Sequence, residues 1–234
     1  YKHEFDKKGH EFSFTGRFST QTEEEDGIIS SDSSNNRITD NLEEQTTVVL
    51  TADYVRPIGE KGKFELGARA DFNNNKSDNQ TFFDQNGILV PDPNFNANID
   101  NQQNVYAAYA QYGNAIGKFQ YFAGLRLESS DMNIDFLSTG DKIKKNYTDL
   151  FPTATLNYTF NEKNELQLSY SKRIRRPMGF MLNPFFSPTA DKNIRYGNPD
   201  LDPTYTNSFE LTYITNIGKL MVTPGVFYQR TTDM

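Results

Sequence analysis

The sequence predicts an all-β fold, namely an antiparallel, up-and-down transmembrane β-barrel segment of about ten strands. The first observation is strict alternation, as in residues 64–72, where the charged Glu65, Arg69 and Asp71 fall between apolar positions. Because successive side chains of a strand point to opposite faces, such a segment is apolar on one face and polar on the other. The second observation is segment length: about nine to fourteen residues, which suits a tilted crossing of a bilayer. The third is a regular alternation of short and long connections.

The elements follow one another along the chain as strand, short turn, strand and long loop. Strands are predicted near 1–5, 10–19, 45–56, 63–72, 104–112, 118–128, 148–160, 165–175, 206–215 and 220–231. Short turns, rich in Gly, Asn, Asp and Lys as tight hairpins require, are predicted at 6–9, 57–62, 113–117, 161–164 and 216–219. Long polar loops are predicted at 20–41, 73–101, 129–147 and 176–205. Short turns at one end and long loops at the other are typical of outer-membrane barrels.

Aromatic residues cluster on the apolar face beside the short turns. They are Tyr54, Phe64, Tyr112, Phe119, Tyr121, Tyr158 and Phe160. Rings with an apolar body and a polar edge prefer the headgroup level of a membrane, so this row predicts an aromatic girdle. The alternative is the core of a soluble β-sandwich, which predicts that the apolar faces pack against each other.

Composition excludes several other classes. The chain has 234 residues and no apolar run of about eighteen residues, so it predicts no transmembrane helix. Its mean hydropathy of -0.73 is compatible with a barrel, whose strands place every second residue in a polar lumen. The net charge of -7 argues against nucleic acid as a partner, and zero cysteines exclude disulfides and thiolate metal sites.

The two ends of the chain predict a section of a larger barrel. The chain opens on strand-like residues and ends on a strand that leads towards the long-loop side. A closed barrel removes sheet edges, whereas a section leaves two. We therefore expect residues 1–234 to be part of one outer-membrane β-barrel domain of about 22 strands, without a plug domain or signal peptide. A smaller closed barrel, serving as an adhesin or enzyme, is an alternative that predicts closure within about ten strands.

Residues 150–203 carry motifs that resemble those of TonB-dependent receptors. Residues 150–158 are similar to the family's "FP…L.Y" strand, and residues 166–177 to its "L..SYS…RP" strand end. Residues 182–185 and 197–203 are similar to its "LNPF" and "GNP.L.P" elements. Residues 6–11 resemble a turn of the Bacteroidota branch of the family. The resemblance covers essentially the whole chain and implies the C-terminal barrel region of such a receptor.

That resemblance implies transport across the bacterial outer membrane. Receptors of this family import a scarce nutrient, such as an iron chelate or a sugar, driven by the TonB complex of the inner membrane. The implied partners are the lipid bilayer, the receptor's own plug domain, and the TonB complex through an N-terminal region outside this chain. A surface lipoprotein is a further candidate partner. The soluble alternative is a β-sandwich module that binds carbohydrate.

The last long loop and the strand before it carry the candidate ligand residues. The aromatic and basic side chains expected to contact ligand are Arg173, Arg175, Phe185, Phe186, Arg195 and Tyr196. A second interpretation assigns the arginines to a ladder of ion pairs across neighbouring strands of the lumen. That ladder would join Arg17, Arg69, Arg126, Arg173 and Arg175 with Asp53, Asp71, Glu128 and Glu210.

Metal and catalytic sites find little support in the sequence. His3 and His10 flank a turn without a third ligand nearby, which favours surface residues over a metal site. Asp78 and Asp84 could bind calcium, but their spacing does not match a complete calcium loop, which favours a solvated loop. No catalytic serine motif is present. We therefore expect no enzyme activity, no metal and no cofactor.

Overall fold

The computed structural model describes residues 1–29, 36–85, 87–92, 97–184, 187–190 and 193–233. Its strands, in chain order, are β1 (Lys2–Glu4), β2 (Glu11–Ile29), β3 (Arg37–Ile58), β4 (Gly62–Gln85), β5 (Ile88–Pro91), β6 (Ala97–Ile116), β7 (Phe119–Phe136), β8 (Asp141–Asn161), β9 (Asn164–Arg175), β10 (Ser187–Ala190), β11 (Asn193–Arg195), β12 (Thr204–Ile217), β13 (Leu220–Val222) and β14 (Gly225–Asp233). One four-residue helix, α1 (Gly179–Leu182), lies between β9 and β10. None of the described helical residues forms a helix long and apolar enough to cross a membrane.

Twelve of the described strands form one antiparallel sheet with a simple up-and-down order. The order is β1-β2-β3-β4-β6-β7-β8-β9-β12, and both β13 and β14 continue the sheet beside β12. These last two pair with β12 in a single register, interrupted around Pro224, whose missing N–H cannot join the ladder. β5 pairs with the far end of β4, and β10 and β11 form a separate pair. The predicted all-β, up-and-down fold of about ten strands is confirmed.

One face of the sheet is apolar, and the described residues place no second layer on it. Leu66, Leu125 and Leu168 lie on this face and are each 49% exposed. A soluble sandwich would bury these side chains against a second sheet, so the sandwich alternative is wrong. We call this side the apolar face. The opposite side, which carries Glu65, Arg69 and the other odd-numbered residues of β4, is the polar face.

Two rows of aromatic rings cross the apolar face. The lower row, beside the short turns, includes Tyr112 and Tyr121 with ring centroids 6.1 Å apart. Tyr158 continues the row, with centroids 4.7 Å from Phe119 and 4.8 Å from Phe160. The predicted clustering beside the short turns is therefore present as direct ring contacts.

The upper row lies on the long-loop side. It contains the pair Phe72 and Tyr106, 5.7 Å apart, and the pair Tyr170 and Phe209, 4.8 Å apart. On β4 the rows are marked by Phe64 and Phe72, which enclose about the nine residues that a tilted strand needs to cross a bilayer. We call the part of the sheet between the two rows the apolar band.

The strands continue far beyond the apolar band, so the long loops predicted at 20–41, 73–101 and 129–147 are wrong for most of their length. β2 and β3 pair without interruption from Glu11↔Val55 to Ile29↔Arg37. β7 and β8 pair until residues 137–140 close the hairpin, where Gly140 has a φ of 81°. Alternating hydropathy stops at the membrane surface because both faces are then free to be polar. Backbone pairing does not depend on that alternation, and it continues.

Candidate ligand-facing site

Two of the ion pairs on the polar face run along single strands. The Arg69 guanidinium lies 2.7 Å from the Asp71 carboxylate, and the Arg126 Nε lies 2.6 Å from Glu128. The sequence interpretation placed such pairs across neighbouring strands. They form instead between residues i and i+2, which lie on the same face only about 7 Å apart, within reach of an arginine.

A hydrogen bond on this face joins β6 to β3 across the strand between them, β4, at a position occupied by a glycine. The Tyr109 hydroxyl on β6 donates to Asp53 Oδ1 on β3 over 2.5 Å and passes over Gly67 of β4. A Cβ atom at Gly67 would lie 2.3 Å from the Tyr109 ring, so only glycine leaves room for it. The sequence analysis did not identify this contact, although a glycine inside a strand is a signal for close approach.

Above the apolar band, the root of the loop between β9 and β12 is fixed to β7. The Arg176 guanidinium donates to Glu128 Oε2 over 2.7 Å and to Ser130 Oγ over 3.2 Å. Glu128 therefore accepts hydrogen bonds from two arginines, Arg126 and Arg176. The Arg176 and Glu128 side chains are 17% and 12% exposed, so this is a partly buried, charge-assisted anchor.

The first turn of this loop is buried against the polar face. Leu182 of α1 is fully buried in an apolar cluster on the inner side of β6, β7 and β8. The strand residues that receive it, which we call the loop seat, are Ile99, Met132, Ile134, Phe136 and Ile143. The register places these residues on the same face as Glu128 and Ser130. The loop therefore folds back onto the polar face.

The far end of the loop is also held by β8. The Lys145 ammonium donates to the Leu201 carbonyl over 2.6 Å and lies 3.3 Å from the Asp202 carboxylate. Four residues above the upper aromatic row on β12, the Tyr205 hydroxyl donates to Asp149 over 2.8 Å. Burial is the larger cause and this hydrogen bond the second, and together they raise the pKa of Tyr205 to about 12.

On β2, β3, β4 and β6, the part of the polar face that is level with Met132 and Ile134 of the loop seat is lined by uncharged polar side chains. We call this surface the amide wall; it consists of Ser19, Gln21, Gln45, Thr47, Asn73, Asn75, Asn101 and Gln103. Asn73 Oδ1 accepts from Gln45 Nε2 over 3.2 Å and from Thr47 Oγ1 over 2.9 Å. Just below lies a cleft of about 300 Å³ that includes Asn73, Gln103 and the Arg69–Asp71 pair.

The candidate ligand residues predicted from sequence are not brought together in the described part of the structure. Arg173 and Arg175 lie at the end of β9, opposite Thr206 and Thr204, and both are exposed. Tyr196 is 72% exposed. Arg195 ends β11, in the small sheet formed with β10. Phe185 and Phe186 lie outside the described residues.

The two histidines are engaged in ring contacts. His10 stacks on Phe5 with centroids 4.1 Å apart, and its Nε2 lies 2.9 Å from the Tyr54 hydroxyl. His3 meets the edge of the Phe5 ring at 4.6 Å. Among the described residues, no group of three or more His, Cys, Asp or Glu side chains could hold a metal ion.

The proposed calcium loop has a different role where it is described. Asp84 Oδ1 accepts a hydrogen bond from the Gly87 N–H over 2.6 Å, and Gly87 has a φ of 86°. This is the geometry of a tight turn closed by an aspartate side chain. The turn joins β4 to β5, and Asp78 lies within β4.

Comparison with known proteins gives a family and a fold. The model of the Outer membrane protein beta-barrel family matches residues 3–234. No curated protein matches the chain in sequence.

Several solved structures share the fold at low sequence identity. The copper transporter OprC matches with a TM-score of 0.72 at 14% identity, over 97% of this chain and 36% of its own. The ferric citrate transporter FecA, in its unliganded form, matches with a TM-score of 0.67 at 14% identity, over 97% of this chain and 33% of its own. The ferric yersiniabactin uptake receptor FyuA from Yersinia pestis matches with a TM-score of 0.65 at 14% identity, over 100% of this chain and 35% of its own. The chain thus spans about a third of each of these structures.

Proposed function

The chain belongs to the Outer membrane protein beta-barrel family and lies in the bacterial outer membrane, and from this premise we propose that it is part of a TonB-dependent receptor of the Bacteroidota type. The receptor would import a scarce nutrient, and this chain would supply about ten strands of a barrel of about 22. Solved structures with the same fold are named a copper transporter, a ferric citrate transporter and an uptake receptor. Those names support uptake rather than catalysis.

The observation that carries this proposal is the difference between the two faces of the sheet. The apolar face is left uncovered by the described residues and is bounded by aromatic rows, which suits hydrocarbon on that side. The polar face bears ordered ion pairs and a loop that folds inward onto the wall. An inward-folded loop narrows a lumen, and a narrowed lumen suits a selective receptor better than an open diffusion pore.

The partners follow from the two faces. The bilayer would contact the apolar face, and a plug domain elsewhere in the receptor would contact the polar face below the loop. Energy would come from the TonB complex through a segment outside this chain. A surface lipoprotein could dock on the strand extensions, which reach far beyond the apolar band.

Ligand contacts would come from the loop between β9 and β12 and from the end of β9. Arg173, Arg175 and Tyr196 support this role through their exposure on the long-loop side. Arg195, Phe185 and Phe186 are proposed on sequence alone, as aromatic and basic residues of the same loop. No catalytic residue, cofactor or resident metal is part of the proposal.

Uptake by intact cells tests the proposal. Cells with and without the full-length protein would be offered labelled ferric citrate, copper and neutral oligosaccharides, each with and without a protonophore. We expect uptake of one of these probes to require the protein and to collapse with the protonophore, because TonB-driven import depends on the inner-membrane proton gradient. Protein-dependent uptake that persists with the protonophore would instead indicate a passive pore and would refute the proposal.

A further inference from the structure

The chemistry of the polar face changes abruptly between β6 and β7. Residues paired across neighbouring strands form rungs, and one rung runs from Thr47 through Asn73 and Gln103 to Met132. The rung above it, in the same strand order, is Gln45, Asn75, Asn101 and Ile134. Each rung is uncharged and polar through β6 and then apolar on β7. The apolar part is the loop seat, and the polar part is the amide wall.

The amide wall keeps unused hydrogen-bonding capacity. An amide or hydroxyl side chain offers both donors and acceptors. Within the described part of the chain, the side chains of Gln21 and Gln103 make no hydrogen bond to protein, and Asn73 uses only its oxygen. Four strands at about 4.8 Å spacing and two rungs about 7 Å apart give a patch of about 14 by 7 Å. Such a surface can bind several hydroxyl groups at once.

The charges around the amide wall disfavour an anion. No lysine or arginine belongs to the wall. The rung above it contains the carboxylates Glu23 and Glu43, which are directly opposite each other. The rung below contains Arg17 and Asp71, and Asp71 is already paired with Arg69. The cleft below the wall also carries Arg126 and Arg176, but both donate to Glu128, so their charges are compensated there. A ferric carboxylate chelate would be repelled by Glu23 and Glu43 at the upper edge of the wall, whereas an uncharged ligand would not be repelled.

We propose that the amide wall is a binding site for a neutral, polyhydroxylated ligand, that is, a saccharide. Sugar hydroxyls donate and accept in the same way as the amides that face them, so direct pairing is geometrically easy. The loop seat closes the neighbouring part of the wall, which confines the ligand to β2, β3, β4 and β6. This proposal rests on the uptake function and names its substrate class.

Binding to the purified full-length protein tests the site. The probes are neutral malto-, cello- and xylo-oligosaccharides and, separately, ferric citrate. We expect at least one oligosaccharide to bind the wild type, and the Asn73→Ala/Gln103→Ala double variant to bind it about tenfold more weakly or worse, since two hydrogen bonds are lost. The matched control is Gln167→Ala, an amide of the polar face near the short turns; its affinity should stay within about twofold of wild type.

A second variant distinguishes a specific loss of binding from misfolding. Asn73→Asp keeps the size of the side chain and adds a charge, and it should also weaken oligosaccharide binding. The absence of oligosaccharide binding to the wild type, or unchanged binding by the double variant, would overturn the site. Protonophore-sensitive uptake of ferric citrate without oligosaccharide binding would refute the amide wall and leave the uptake function standing. Oligosaccharide binding without energised uptake would refute the uptake function and leave the amide wall standing as a binding site.

Discussion

The amide wall and the loop seat lie on the same face of the sheet, at the same height and on neighbouring strands, yet they behave oppositely. The loop seat is apolar and buried because α1 covers it. The amide wall is polar and partly exposed because α1 reaches it only at Asn101, which lies against Gly179, and does not cover its remaining residues. Above a membrane, both faces of a strand can be polar. An apolar inner residue there therefore marks the place where another part of the chain is seated.

The largest expected effect comes from removing the residue that fills the seat. Leu182→Ala should cost the loop about 2–5 kcal/mol of anchoring, because it empties a fully buried site. The loop should then detach from the loop seat while the barrel stays folded. Limited proteolysis of the full-length protein should show faster cleavage within residues 183–200. Leu168→Ala, on the apolar face, is the matched control and should leave cleavage unchanged; equal cleavage in both variants would contradict the role of the seat.

The next effect concerns the charged root of the same loop. Glu128→Gln removes the carboxylate shared by Arg126 and Arg176 and should weaken the root by about 1–3 kcal/mol, because hydrogen bonds to charged groups exceed neutral ones. The same cleavage assay should show a smaller increase than Leu182→Ala gives. Glu210→Gln, an exposed carboxylate of the polar face, should have no effect. If the two variants behaved alike, the pair would not anchor the loop.

A third substitution disturbs the polar face of β4 below both the amide wall and the loop seat. Gly67→Ala places a Cβ 2.3 Å from the Tyr109 ring, so the ring must move and its bond to Asp53 is lost. We expect a loss of about 1–3 kcal/mol in thermal stability from this overpacking. Loop cleavage should not change, since both regions lie above the site. In a Tyr109→Ser background, where the ring is absent, Gly67→Ala should cost clearly less stability than it costs in the wild type; an equal cost in both backgrounds would exclude the clash with the ring as the cause.

The smallest effect is expected in the amide wall itself. Gln103→Ala should change unfolding stability by less than about 0.5 kcal/mol, because the side chain makes no hydrogen bond to the described residues. Thermal melting in detergent measures this, and loop cleavage should match wild type. A loss comparable to that of Leu182→Ala would show that the amide wall is structural, and the distinction between the two regions would fail.

Local pattern accounts for the strands within the apolar band and for little beyond it. Leu66, Leu125 and Leu168 lie on the exposed apolar face, as their alternation predicts. The upper halves of β2, β3, β4 and β8 were missed because most of their side chains are polar on both faces, so hydropathy shows no clear period there. Alternation also continues through Met132, Ile134 and Phe136, on the opposite face, and the sequence analysis read this stretch as loop.

The residues of the candidate site divide in the same way, into those that a local pattern predicts and those that it does not. The register of β9 places Arg173 and Arg175 on the polar face, as the alternation predicts, because parity along a strand is a local property. Their role as ligand residues stays a prediction. The sequence analysis did not select Arg176 as an anchor, or Glu128 as the shared acceptor. Those residues are 48 positions apart, and their meeting depends on where the loop lies rather than on any neighbour in sequence.

The sequence by itself determined which side chains meet lipid, how the strands succeed one another and where the tight turns close. Each of these depends on residues close together along the chain. Only the tertiary structure decided that Leu182 is buried among β6, β7 and β8, and that β2, β3, β4 and β6 carry an amide surface which the described residues leave largely uncovered. The physical reason is that one buried leucine needs a seat of matching shape, and no local pattern specifies which distant strands provide it.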